Sequence, residues 1–170
     1  MTTDNDITAW FAGRLPPEWT EAGSPDISID REEITVVIAM NQPELDDNDE
    51  AAQAHADEGR AAGFRDETRE RRIGIAREAE HRFDRKVAWG VRIGDRRMLF
   101  THLAVPVMTR LRQPERQVLD TLIASGVARS RSDALGWCVR LVEKNLDEWL
   151  AELRKAIEDV ERVRSEGPAA

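Results

Sequence analysis

The stretch that most restricts this chain is VPVMTRLRQPERQVLDTLIASGVARSRSDALGWCVRLVEKN, from Val105 to Asn145. Val105, Val107, Thr109 and Leu111 alternate with Pro106, Met108, Arg110 and Arg112. That period of two predicts a short strand with one mostly apolar face. Pro114 suits the first turn of a helix, where its missing N–H is no loss. Val118, Leu119, Leu122 and Ile123 give that helix a stripe expected to be buried, and Gly126 ends it. SRSD, Ser130 to Asp133, has the capping-box pattern, with Ser130 as N-cap and Asp133 reaching back. A second helix follows, carrying Leu135, Val139, Val142 and Leu146, then Leu150, Leu153, Ile157 and Val160. Continuous from Ser132 to Arg164, it would run ~50 Å at 1.5 Å per residue.

Charge singles out the same stretch. The chain of 170 residues has a formal net charge of −8, and residues 1–104 hold 22 acidic and 14 basic side chains, which accounts for all of it. Residues 105–140 carry six arginines against Glu115, Asp120 and Asp133, a local +3. An acidic whole weakens nonspecific attraction to phosphate but leaves room for a local basic face.

The first part reads as an N-terminal arm (1–24), whose aromatics cover the edge of a core, and a small α+β domain (25–102). Asp26 to Met40 alternates as a β-hairpin turning at Asp30 to Glu33. Residues 41–58 hold seven acidic and no basic side chains, as expected of a solvated loop running into a helix. Asp46, Asp47, Asp49 and Glu50 lack the spacing of a calcium loop. Residues 61–83 follow a helical period, with Phe64, Ile73, Ala76, Ala79 and Phe83 on one stripe. Lys86 to Val107 predicts a second hairpin turning at Gly94-Asp95, its return strand running from Met98 to Val105. The order β-β-α-β-β suggests an antiparallel sheet with a helix on one face.

Strand, helix, glycine turn and helix, with the words VLDTL (Val118 to Leu122) and SGVARSRSDAL (Ser125 to Leu135), resemble the ribbon-helix-helix family of Arc/MetJ-like DNA-binding modules over residues 103–147. The resemblance implies a homodimer, because one strand and two helices cannot close a core, whereas two copies pair their strands into a ribbon covered by four helices. It implies a dimer core of Val107, Thr109, Leu111, Leu119, Leu122, Leu135, Val139 and Val142. It also implies double-stranded DNA as partner, the ribbon entering the major groove. Pro106, Met108 and Arg110 would face the bases. Pro106 has no N–H to offer and Met108 only apolar contact, so Arg110 would be the main reader. Arg112, Arg116, Arg129, Ser130, Arg131 and Ser132 would hold phosphates, the last three at a helix N-terminus. Residues 148–170 form a helical extension and tail beyond that module.

These readings make the chain a transcriptional regulator, its N-terminal domain modulating, sensing or recruiting a protein partner. A second reading keeps the module as a dimeriser only. The chain is then a non-enzymatic homodimeric scaffold for a protein or ribonucleoprotein, which Pro106, Met108 and the net charge of −8 favour. No catalytic residues, metal or cofactor are expected. His55, His81 and His102 fall in separate elements, no Cys/His cluster has zinc spacing, and no glycine-rich loop could cradle phosphate. A single cysteine, Cys138, fits the reducing cytoplasm. The polar N-terminus predicts no signal peptide, and no apolar run approaches the ~20 residues of a membrane span.

Overall fold

The computed structural model describes residues 3–45 and 49–166. Asp46 and Asp47, half of the acidic cluster weighed above, lie outside the described residues, as does the end of the tail, 167–170. The chain is α+β, with a four-stranded sheet and six α-helices among the described residues, and it divides after Pro106 into two units.

The N-terminal unit begins with helix α1 (Asp4–Arg14). Thr3 caps it: its hydroxyl accepts from the Asp6 amide at 3.2 Å, and the Asp6 carboxylate accepts from the Thr3 amide at 2.8 Å. The expected arm is therefore part of the core. Ile7, Phe11 and Leu15 fall at intervals of four along one line, and all three are buried, as is Trp19 in the 3₁₀ turn Pro17–Trp19. Trp10 alone has the edge position foreseen for the arm, half-buried and edge-on to Phe83.

Strands β1 (Asp26–Ile29) and β2 (Glu33–Met40) form the first hairpin, in register Ile29 opposite Ile34. The Asp30 carboxylate accepts from the amides of Glu32 and Glu33, fixing the turn. Strands β3 (Lys86–Ile93) and β4 (Arg96–Leu99) form the second, turning at Gly94, whose φ of 56° suits glycine. The return strand stops at Leu99, well short of Val105.

The sheet is mixed, not antiparallel as its hairpins suggested. Its order is β1-β2-β3-β4, and the central pair β2 and β3 runs parallel, Val36 opposite Trp89. Both strands have buried residues on both faces, which suits the centre of a sheet. Their parallel direction follows from the helical crossover between them, which returns the chain to the end where β2 began.

That crossover is two helices rather than one, α2 (Glu50–Glu67) and α3 (Arg69–Phe83). They meet at Thr68, whose hydroxyl donates to the Phe64 carbonyl and accepts from Arg72 Nε at 3.0 Å. Arg72 also donates to the Arg65 carbonyl and lies over the Phe100 ring, so its guanidinium is buried but well occupied. Ile75 and Ala79 enter the core, whereas Ile73, assigned to that stripe from spacing, is only half-buried. Starting α2 at Glu50 also shortens the acidic loop. Within α2, Asp57 is fully buried, accepting from the amide groups of Gln42 and Gln53.

The C-terminal unit has helices α4 (Gln113–Ala124), α5 (Arg131–Asn145) and α6 (Asp147–Glu166). The long final helix expected from Ser132 to Arg164 is broken at Leu146. Polar side chains there take backbone partners: Asn145 donates to the Leu141 carbonyl, and Asp147 accepts from the Glu148 amide. Residues 101–112 are neither helix nor strand, so the strand expected around Val107 is not formed within a single chain. A strand needs a ladder partner, and among the described residues the C-terminal unit has no other strand to supply one.

Candidate functional site

The approach to α4 is fixed by side chains. The Glu115 carboxylate accepts from the Arg112 amide at 2.5 Å, and Arg116 donates to the Leu111 carbonyl at 2.6 Å. Pro114 sits in the first turn, as its geometry requires. Leu119 is the buried residue of α4, flanked by half-buried Leu122 and Ile123. Val118, assigned to the same stripe from spacing, is 55% exposed.

The turn between α4 and α5 closes in a Schellman arrangement. Gly126 has φ 77°, its amide donates to the Ile123 carbonyl, and the Val127 amide reaches Leu122. Ala128 and Ala134 then bury against Leu119. Ser130 caps α5, accepting from the Asp133 amide at 3.2 Å. The Asp133 carboxylate reaches back one residue further than a capping box would take it, to the Arg129 amide at 3.0 Å.

Around this turn the expected residues gather unevenly. Val107, Thr109, Leu111, Leu119 and Leu135 line a shallow groove of about 270 Å³, with Arg116, Arg131 and Ser132 at its polar side. Leu122 belongs to the small core beneath it. Val139 and Val142 do not join the groove and are largely exposed on α5. Val107 is 84% exposed and Met108 entirely so. Arg110 is exposed, with no hydrogen bond or ion pair among the described residues.

The cations expected to hold phosphate are partly compensated. Arg131 forms a two-pronged pair with Asp120, both contacts at 2.8 Å. This pair holds the Asp120 carboxyl below its ordinary range and raises Arg131. Arg129 Nε lies 3.7 Å from Asp133, whose carboxyl is lowered chiefly by the Arg129 amide. Sequence reasoning did not identify Asp120 as a partner. It lies eleven residues before Arg131, on another helix, beyond any local spacing rule.

The N-terminal unit has two larger cavities. One, about 470 Å³, lies at the starts of β2 and β3 between Arg31, Glu80, Arg85 and Lys86. The other, about 380 Å³, lies at the end of β2 between Trp19, Phe64, Arg60 and Glu67. Both mix charges of opposite sign without converging on one point. Among the described residues no group of His, Cys, Asp and Glu could hold a metal ion, and no helix is long and apolar enough to cross a membrane.

Comparison with known proteins divides the chain as its structure does. Residues 5–99 match a family described as the N-terminal domain of Rv1265-like protein, and residues 112–164 match the Mb1296 C-terminal domain. The uncharacterized proteins Mb1296 of Mycobacterium bovis and Rv1265 of Mycobacterium tuberculosis are each 57% identical over 159 residues, covering 94% of this chain and 69% of theirs. No solved structure matches the chain significantly. The first match ends with the last residue of β4, and the second begins at the residue preceding α4. The chain belongs to the Rv1265-like protein family.

Proposed function

We propose that this chain is a dimeric DNA-binding protein, a transcriptional regulator in which residues 103–147 act as a ribbon-helix-helix module. The groove beside residues 107–111 carries the reading. Its apolar wall is the set of residues that a second copy's ribbon would cover, and basic residues stand at its rim. The capped glycine turn and the Ser130 cap support it, since they fix the start of α5 with Ser130, Arg131 and Ser132 exposed. In this reading Arg110 is the main base reader and Met108 adds apolar contact. Arg112, Arg116, Arg129, Ser130, Arg131 and Ser132 lie where phosphates would pass.

Fluorescence anisotropy of short DNA duplexes across a salt series tests this. Binding is expected to weaken steeply with salt. Arg131→Ala should lower affinity for all sequences alike and reduce the salt slope by about one, whereas Arg110→Ala should relax sequence preference. No binding of any duplex at low salt would overturn the proposal.

A second reading is a homodimeric scaffold for a protein partner, without DNA. The fully exposed Met108 and the pairing of Arg131 with Asp120 favour it. Pull-down before and after nuclease treatment separates the two, because the scaffold keeps its partner.

A further inference from the structure

Helix α6 presents an apolar face that no described residue of its own unit covers. Leu153 is 40% exposed, and Trp149, Ile157, Val160 and Val163 are each more than half exposed. From Leu150 to Val160 the apolar positions of α6 step by 3, 4 and 3, the spacing of a seam between two helices. The C-terminal family match runs through to residue 164, so it takes in most of α6 together with α4 and α5.

Charge narrows the occupant. Residues 147–166 hold seven acidic and four basic side chains, a net −3. Nucleic acid and anionic lipid surfaces are therefore poor partners, since helices that lie on membranes carry lysine and arginine beside the apolar face. Area points to a second copy. The face with its flanks offers on the order of 500 Å² per chain, so two copies would bury about 1,000 Å², the lower limit for a specific interface.

We propose that α6 pairs through this face with α6 of a second copy of this chain. This stands apart from the ribbon reading, because none of its residues lies in the groove.

The test uses the full chain carrying Cys138→Ser, so that any introduced thiol is the only one. Val160→Cys and Leu150→Cys, oxidised mildly, should give a disulfide-linked dimer, each alone if the helices run parallel and only when mixed if they run antiparallel. Lys155→Cys, on the opposite face, should not. Ile157→Glu, at an exposed position that does not threaten folding, should weaken self-association at least tenfold in sedimentation equilibrium. A dimer in which neither cysteine links, alone or mixed, or a chain that stays single at micromolar concentration, would overturn the proposal. If Val107→Ala leaves association unchanged while the α6 cysteines still link, the ribbon reading fails and this one stands.

Discussion

Val107→Ala is a harmless substitution in an isolated chain and a costly one in a paired ribbon. Val107 is 84% exposed, so trimming it leaves the stability of a single chain within about 0.5 kcal/mol. In the proposed dimer the same side chain is covered by its counterpart. Removing its two methyl groups then costs about 0.8 kcal/mol per group, or ~1.6 kcal/mol per copy. Two copies lose about 3 kcal/mol, which raises the dimer dissociation constant on the order of 100-fold. Sedimentation equilibrium over nanomolar to micromolar concentrations measures that constant, and circular dichroism at high concentration checks that helix content is unchanged. If the dissociation constant of V107A stays within twofold of the parent, Val107 is not at an interface and the reasoning is wrong.

Three further outcomes follow from the C-terminal unit. Leu119→Ala should destabilise α4 and α5 by about 2–5 kcal/mol, since it empties the centre of a small core, and hydrogen exchange along both helices reads the loss. Gly126→Ala meets no neighbour within 4 Å, so its cost is the backbone strain of φ 77° alone, about 1–2 kcal/mol. Faster exchange of the Val127 amide, which bonds Leu122, should report it. Acid should soften this unit through Asp120 and Asp133, both held below their ordinary 3.8. A carboxylate lowered in the folded state adds stability that is present above its unfolded pKa and lost as pH falls through the folded one. The urea midpoint should therefore drop below pH 4, and Asp120→Asn should flatten part of that drop.

What could be read from sequence was local. Both hairpin turns, the start of α4 at Pro114, the glycine stop at Gly126 and the Ser130 cap each depend on a few neighbouring residues, and each is where spacing put it. The parallel pairing of β2 with β3 depends on where a crossover of more than forty residues returns, which no local period encodes. At the break at Thr68, Arg72 reaches back to the Arg65 carbonyl and is buried, although spacing alone assigns such a side chain to the surface. Ile73 and Ile75 are equally apolar and two residues apart, and only packing against the sheet chooses Ile75. At the groove, the apolar residues were foreseen, but Asp120 was not, because its pair with Arg131 joins two helices.

In the proposed dimer, residues 107–111 gain a ladder partner from a second copy. Isotope-filtered NMR on a mixture of labelled and unlabelled chains observes this directly. A paired ribbon should give backbone contacts between copies across Val107 to Leu111, with amides protected from exchange at alternate positions. Contacts between copies that avoid this segment, or none at millimolar concentration, would contradict it.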